Sequence, residues 1–436
     1  MPLPYTYFVK TTTIVAAASD SNDGRDPLGC ALANASYDHT GGGSGERQLT
    51  AASGTPFASV QAGDYIYLVN AVGGVADGLY EIASVPSSTV ILLVDDSGLT
   101  ADSTSDVDSS DGPWLTLQYA FDTMSTSGSQ LVICDDGNGT GTHWEYAATL
   151  DLDTNNGGSR GLYYRGGNGR GVVDGTQAVI SGASLGASTN LVAFSAAYGL
   201  RMFDLRFTGG TADNLNCAAT TSLNCIFTRC RIDNATDSGV FSDSDGWVFN
   251  DSELDSNGAY GYAASSNRSE FLTFCCSSVH DNTNAGVLAG GSSMNADKSL
   301  FYDNGGDGWT LNRYATLFRV DGSVFFGNSG NGVGVTSTYF GFALGTVRNS
   351  VFRSNGAYGL SVGAWTVEYA EVANNCFHNN TSGATDGVVG ALGTAAGGDT
   401  NIYVDPLFVS ETDGSEDFTP QVGSPLIRGG TPDATA

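Results

Sequence analysis

The chain has 436 residues, of which 41% are hydrophobic, and 46 acidic against 17 basic residues give it a formal net charge of −29. This apolar content suffices for a sizeable core and excludes global disorder. So acidic a surface repels phosphate backbones and anionic membranes, which argues against nucleic-acid binding. It is typical of a well-solvated protein or of one that binds divalent cations. No apolar run approaches the length of a membrane span.

The first 28 residues are interpreted as an N-terminal strand and cap. Tyr7–Val9 (YFV) has the composition of a strand, and Ser19–Gly24 (SDSNDG) has that of a turn. The segment GPWLTLQYAFD stands further along the chain, at Gly112–Asp122.

Residues 29–112 are predicted to form an inserted small β-module that ends in an acidic loop. Strands are predicted over Tyr65–Val69, Gly78–Val85 and Thr89–Val94, with turn residues between them. Ser97–Gly112 is acidic and polar, which predicts a surface loop.

A metal-binding loop is one interpretation of DLDTNNGG, which begins at Asp151. The oxygen ligands would come from Asp151, Asp153 and Asn155, and calcium is the cation that such a spacing suits. The glutamate that ends an EF-hand loop is missing, and a turn rich in Asp and Asn explains the same residues. The expectation is therefore no cofactor, with calcium left open.

A repeat begins after residue 230 and is most visible in SNGAYG, which occurs at Ser256–Gly261 and again at Ser354–Gly359. Between the two copies, a pattern of an apolar residue, an Asn three places later and a Gly four places after that occurs five times. The Asn spacings are 25, 22, 24 and 27 residues. The Asn residues are Asn257, Asn282, Asn304, Asn328 and Asn355.

A period of 22–27 residues with an alternating strand signal after each Gly predicts a solenoid of short strands. In a parallel β-helix, equivalent residues of successive coils stack at about 4.8 Å. An Asn column then sits at a turn, where its amides can bond each other, and Gly fills a position with no room for a side chain. Tyr262 and Trp309 fall on the inward column and are expected in the core.

The repeat, the opening segments and the close of the chain resemble the pectate-lyase-like right-handed β-helix proteins. The close is NIYVDPLFV at Asn401–Val409, followed by FTPQVGSPLIRGG at Phe418–Gly430. The resemblance implies an all-β, right-handed parallel β-helix over residues 113–409, with a C-terminal closing segment over 410–436. It also implies that the strand, the turn and an amphipathic helix at Gly112–Asp122 cap the first coil. The insert resembles, more loosely, small β-modules of phage structural proteins. This fold carries many activities, so the resemblance does not fix one.

Polysaccharide-cleaving enzymes on this fold use clustered carboxylates or a lyase base. The carboxylate candidates are Asp243, Asp245, Glu253 and Asp255, and the last two are expected to point outward from one strand. For Glu253 and Asp255, a solvated acidic face is favoured over a catalytic pair. Asp281 and Asp303 are interpreted as turn residues beside the Asn column. With only two lysines in the chain, a lysine-based lyase is disfavoured.

Three aromatic residues are candidates for glycan contact. Tyr260 and Tyr358 occupy the same position in the two SNGAYG copies, and Trp365 lies in a longer coil. The eight cysteines include no CxxC pair and the four histidines are far apart in sequence, so the spacing does not indicate a zinc site. Cys225 and Cys230 could pair, although buried free thiols fit the sequence better.

The favoured hypothesis is a structural or adhesive virion surface protein, such as a phage tail spike, fibre or capsid decoration protein. The longest apolar run near the N-terminus, Ile14–Ala18, is shorter than a secretory signal requires, and a virion surface suits such a chain. The expected partners are surface polysaccharide or other virion proteins, and a homotrimer is the oligomer that such proteins suggest. The alternatives are a polysaccharide lyase or glycoside hydrolase, and a secreted bacterial surface protein.

Overall fold

The computed structural model describes most of the chain. The described residues are 6–9, 35–38, 47–69, 78–94, 103–109, 117–123, 130–135, 144–152, 163–168, 175, 177–194, 199–217, 224–244, 246–264, 271–291, 293–311, 317–335, 344–361, 370–386 and 400–428. The chain divides into two compact units. The first comprises 1–144, 150–180 and 200–205, and the second 145–149, 181–199 and 206–436. Asp153, Asn155, Asp245 and Trp365 lie outside the described residues.

The first unit contains a closed six-stranded antiparallel barrel. Its strands are β2 (Ala35–Asp38), β3 (Arg47–Thr50), β4 (Tyr65–Val69), β5 (Gly78–Ser87), β6 (Val90–Leu93) and β7 (Ser103–Ser109). The prediction of a loop over Ser97–Gly112 is wrong for β7. This strand pairs with β2 and β4 and closes the barrel. Strand pairing of this kind overrides a polar local composition.

The first unit also holds parallel strands and one short helix. The strands are β1 (Thr6–Val9), β8 (Gln130–Asp135), β10 (Leu150–Leu152), β11 (Tyr163–Asn168) and β14 (Arg201–Phe203), and the helix is α1 (Leu117–Thr123). The Gln118 amide of α1 both accepts from and donates to the backbone of Asp151, at 2.8 and 2.9 Å. Three further strands contain residues of both units: β9 (Trp144–Glu145), β12 (Ala178–Ser181) and β15 (Leu205–Thr208).

The second unit is a parallel solenoid with three sheets, as the repeat predicted. The first sheet consists of β17 (Cys225–Thr228), β20 (Trp247–Asn250), β23 (Phe271–Cys275), β26 (Ser293–Asp297), β29 (Leu317–Asp321), β32 (Leu344–Arg348) and β35 (Ala370–Ala373). The second consists of β13 (Val192–Phe194), β16 (Leu215–Cys217), β19 (Val240–Ser242), β22 (Tyr262–Ala264), β25 (Val287–Ala289), β28 (Trp309–Leu311), β31 (Val333–Val335), β34 (Tyr358–Ser361) and β37 (Gly383–Asp386).

The third sheet carries the candidate site. It consists of β15 (Leu205–Thr208), β18 (Arg231–Asp233), β21 (Glu253–Asp255), β24 (Ser278–His280), β27 (Leu300–Tyr302), β30 (Val324–Phe326), β33 (Val351–Arg353) and β36 (Cys376–His378). The middle residue of each strand from β18 onward points inward. Four of these residues, Phe301, Phe325, Phe352 and Phe377, stack with ring centroids 4.8 to 5.0 Å apart.

A ladder of Asn side chains lines the corner that follows the third sheet, as predicted. Each Nδ2 donates to the Oδ1 of the next Asn at 2.8 to 3.0 Å, from Asn257 through to Asn380. Asp281 and Asp303 take left-handed dihedrals at this corner, which confirms their assignment as turn residues. Tyr262 and Trp309 are fully buried in the core, again as predicted.

A second ladder, formed by serines, lies at the corner before the third sheet and was not predicted. The backbone N–H of one coil donates to the side-chain oxygen of the next at 2.9 to 3.2 Å. The ladder runs through Cys230, Ser252, Ser277, Ser299, Ser323, Ser350, Asn375 and Asn401. Sequence reasoning missed it because serine is common throughout this chain.

A closing segment covers part of the third sheet. It contains β38 (Phe408–Ser410), β39 (Asp417–Pro420) and a 3₁₀ helix (Pro425–Arg428). The Phe418 ring packs against Tyr302 and Phe326 at 5.3 and 5.2 Å between centroids. Arg353 of β33 forms ion pairs with Asp405 and with Glu411, the latter at 2.7 Å. These contacts fix the segment on the outer face of β27 to β33.

Candidate active site

The candidate site lies on the outer face of the third sheet, where the residue after the inward position changes from coil to coil. Parallel pairing places these residues in one column. In chain order the column reads Asp233, Asp255, His280, Tyr302, Phe326, Arg353 and His378. We call it the outer column. Acidic, imidazole and aromatic groups thus follow each other at about 4.8 Å, the spacing of paired strands.

The N-terminal end of the outer column, on β15 to β21, is a ladder of ion pairs. Arg206 donates two hydrogen bonds to the Asp233 carboxylate one coil later, at 3.1 and 2.5 Å. Arg231 repeats the arrangement with Asp255 at 3.0 and 2.8 Å. Both carboxylates are almost fully buried, and bidentate Arg pairing is what makes such burial tolerable.

The same diagonal contact continues one coil further with its polarity reversed. Glu253 takes the place of the arginine, and its Oε1 lies 2.9 Å from Nε2 of His280. The other ring nitrogen, Nδ1, lies 2.8 Å from the Asp281 carboxylate. Glu253, Asp255 and His280 therefore form one cluster, with a polar atom of each within 4.8 Å of the others. This corrects the expectation of a solvated face, since Asp255 is buried beneath Arg231.

The hydrogen bond between Glu253 and His280 shifts the pKa values of the two side chains in opposite directions. The hydrogen bond with His280 lowers the pKa of Glu253, with burial opposing it and Arg231 assisting. Burial opposes the charged form of His280, but the hydrogen bonds to Glu253 and Asp281 outweigh it and raise the His280 pKa. Glu253 is therefore held ionised.

Tyr302 and Asp303 form the edge of the site on the C-terminal side of His280. The Tyr302 ring stacks on His280 with centroids 4.4 Å apart and planes within 9°. Burial raises the Tyr302 pKa above its usual value, and nearby carboxylates add to the shift. The Asp303 carboxylate meets those of Asp413 and Glu416 from the closing segment, with oxygens within 4.8 Å of one another. Burial, followed by the charges of Glu416 and Asp281, raises the Asp303 pKa to about 6.

The other predicted site residues lie elsewhere. Asp243 follows a strand of the second sheet and does not join the cluster around Glu253. Asp151 is exposed on β10, and nothing in the described residues tests its metal-binding interpretation. Tyr260 and Tyr358 are half-buried, so the condition for rejecting them, complete burial, is not met. Cys225 and Cys230 are buried and are not joined by a disulfide.

Sequence reasoning missed His280, Tyr302 and Arg231 as site residues. A signal was present, because the position after the apolar residue of the repeat holds Asp255 in one copy and His280 in the next. Reading that position as a column would have brought the two together. Asp413 and Glu416 lie outside the repeat, so the period carries no information about them.

Comparison with known proteins agrees with this architecture. Residues 242–404 match the family model described as "Right handed beta helix region". Residues 242–404 therefore form part of a right-handed parallel β-helix. The crystal structure of pectate lyase Pel9A is similar with a TM-score of 0.51 and 15% identity, over 74% of this chain and 88% of that one. At this identity the likeness concerns the fold alone.

A lower similarity is found to the catalytic unit of a thermostable GH87 α-1,3-glucanase from Streptomyces thermodiastaticus strain HF3-3. Its TM-score is 0.38 at 11% identity, over 86% of this chain and 87% of that one. No curated protein matches the sequence significantly. Among the described residues, no helix is long and apolar enough to cross a membrane.

Proposed function

We propose that the protein is a glycoside hydrolase that acts on a polysaccharide laid along the outer face of the third sheet. The observation that carries the proposal is the pair of carboxyl groups with opposite pKa shifts. Asp303, with a pKa of about 6, retains its proton into the mildly acidic range and suits a general acid. Glu253, whose pKa is lowered, is ionised and suits a general base. Such separation of two carboxyl groups is what glycoside hydrolysis needs.

The two residues lie on different coils, and inversion is the outcome that we expect. Glu253 begins β21, and Asp303 follows the end of β27 two coils later and three residues further along the strand. Inverting enzymes use a separated pair of carboxyl groups, because a water molecule must fit between base and sugar. Tyr302 and His280 are stacked on each other, and His280 lies on the coil between those of the two carboxyl groups.

Hydrolysis is favoured over the lyase mechanism by the charge of the site. A lyase removes a proton next to a uronate carboxylate and needs a basic group to do so. The raised pKa of Tyr302 makes its phenolate a rare species near neutral pH. Glu253, Asp281 and Asp303 would also repel a uronate. A neutral glycan fits this site better.

The test is sugar release from a panel of neutral polysaccharides and polyuronates. We expect reducing ends, without unsaturated uronate absorbance, and a loss of about 10²- to 10⁴-fold in Asp303→Asn and Glu253→Gln, the usual contribution of an acid or base. Glu371→Gln is the control, because Glu371 is exposed on the first sheet. Equal release by all variants, or release from none of the panel, would contradict the proposal.

A second candidate function is glycan binding by a virion or other extracellular surface protein. Its support is the pair Tyr260 and Tyr358, half-buried at equivalent positions four coils apart. Aromatic rings at such positions offer apolar faces to sugars. Glycan-array binding that falls in the Tyr260→Ala/Tyr358→Ala variant, with sugar release unchanged, would favour it. Proteomics of phage particles would test the virion location, and sedimentation would test a homotrimer.

A further inference from the structure

Cys275 and Cys276 form a pair of free thiols at the corner between the first and third sheets. Their sulfur atoms lie 3.8 Å apart. Cys276 is exposed and Cys275 is partly exposed, whereas the other described cysteines are buried. This pair plays no part in the site described above.

Adjacent residues of a strand point to opposite faces, so two neighbouring thiols ordinarily diverge. Here they converge because Cys276 has left the strand. Its φ is +52°, in the left-handed region, which turns its side chain to the same side as that of Cys275. The same left-handed position recurs at Asp251 in the preceding coil and Lys298 in the next. The convergence is therefore imposed by the corner of the solenoid.

We propose that Cys275 and Cys276 bind a thiophilic divalent cation of the zinc type, with Asp297 as a third ligand. Two thiolates on a tetrahedral zinc ion, each at about 2.3 Å, are separated by about 3.8 Å, which is the separation found here. Oδ2 of Asp297, on the neighbouring coil, lies 4.0 Å from the Cys275 sulfur. The Asp297 carboxylate is not within 4.8 Å of the Cys276 sulfur, so its side chain must rotate toward the thiols to reach the ion, and solvent can supply the fourth ligand.

The surrounding charge is consistent with a bound cation. Asp297 and Asp251 place negative charge beside the two thiols. A bound cation offsets the repulsion between these groups. Lys298, which follows Asp297, is exposed and can extend into solvent. Binding converts two thiols and one M²⁺ ion into a dithiolate complex and releases two protons to the buffer, so affinity should rise with pH.

The test is titration of the full chain with Cd²⁺, which reports thiolate ligation through an ultraviolet charge-transfer band. We expect one ion per chain with the intensity of two thiolates, displaced by Zn²⁺. Cys275→Ser and Cys276→Ser should each weaken binding by about 100-fold, and Asp297→Asn by about tenfold. Binding should also strengthen as the pH is raised.

Cys230→Ser is the matched control. Cys230 is a buried thiol that occupies a place in the serine ladder, where serine is the usual residue, so the variant should fold and bind Cd²⁺ as the wild type does. Far-ultraviolet circular dichroism checks that every variant is folded. Binding that survives in the Cys275→Ser/Cys276→Ser double variant would overturn the proposal. So would a wild-type protein that binds Cd²⁺ no more tightly than that variant.

Discussion

The Asn ladder and the outer column of the third sheet both advance by one residue per coil, yet they follow opposite rules. In the ladder one residue recurs, and each amide bonds to its identical neighbour at 2.8 to 3.0 Å. In the outer column the residue changes at almost every coil, so Asp255, His280 and Tyr302 stand beside unlike groups. Repetition satisfies the hydrogen bonds of a corner, whereas variation brings different chemical groups together. In this solenoid the constant positions hold the fold and the varied positions form the candidate site.

The largest effect is expected from the middle of the ladder. Asn304→Ala removes the acceptor of two Asn282 N–H groups and the donor to Asn328. All of these groups are buried, so unfolding free energy should fall by about 3 to 5 kcal/mol, at 1 to 3 per unsatisfied group. Asn380→Ala, at the partly exposed end of the ladder, should cost about 1 kcal/mol. Thermal unfolding of both variants checks the order, and equal losses would refute a role for position in the ladder.

A similar loss is expected where the corner leaves no room for a side chain. A Cβ at Gly258 would lie 2.0 Å from the carbonyl oxygen of Thr236, one coil away. Gly258→Ala must therefore move backbone, and we expect a loss of about 3 kcal/mol, as for an overpacked core. The control is Gly186→Ala, where the nearest atom is 3.7 Å from the new Cβ. The denaturation midpoint of that variant should be unchanged or slightly higher.

The repeat could be predicted because it rests on residues with one physical role each. Asn257 to Asn355 need left-handed turns and paired amides, and the glycines need the absence of a Cβ. Both requirements act at a fixed period, so they are visible in one sequence. The inward Trp309 and Tyr262 followed from the same register.

The candidate site could be predicted only in part. Glu253 and Asp255 were recognised as carboxylates on one strand, but their partners lie one coil away in different residue types. The role of His280 depends on Glu253 and Asp281 together, and that of Asp303 on Asp413 and Glu416 of the closing segment. No period links these residues, because their proximity results from tertiary packing.

A smaller loss of unfolding free energy is expected at the ion pair between Arg231 and Asp255, near the N-terminal end of the outer column. Arg231→Met keeps much of the aliphatic stem but removes the partner of Asp255, whose side chain is 2% exposed. Breaking a buried pair costs about 3 to 5 kcal/mol, and since Arg231 is one-third exposed we expect about 2 kcal/mol after screening. Replacing both residues, Arg231→Met with Asp255→Leu, should recover part of the loss. A double variant less stable than the single one would argue against an ion pair as the cause.

The smallest predicted change is a gain in unfolding free energy, whereas the changes above are losses. It distinguishes the outer column from the Asn ladder most clearly. The pKa of Asp303 is about 6 in the folded protein against an ordinary 3.8, so the folded state retains this proton while the unfolded chain loses it. Stability associated with Asp303 is therefore full below pH 4 or so and is lost as the pH rises to about 6. Since Asp303 is only half-buried, we expect about 1 kcal/mol.

Asp303→Asn should consequently raise unfolding free energy at pH 7 by about 1 kcal/mol and leave it unchanged near pH 4. The measurement is urea unfolding at the two pH values. Asp251→Asn is the control, because Asp251 is an exposed aspartate with the same left-handed backbone and lacks the contact with Glu416. A gain in Asp303→Asn that is equal at both pH values would show that the carboxylate cluster is not its source. A gain confined to neutral pH would mean that the carboxylates of the outer face are held together against their mutual repulsion, whereas every residue of the Asn ladder adds to the stability of the coils.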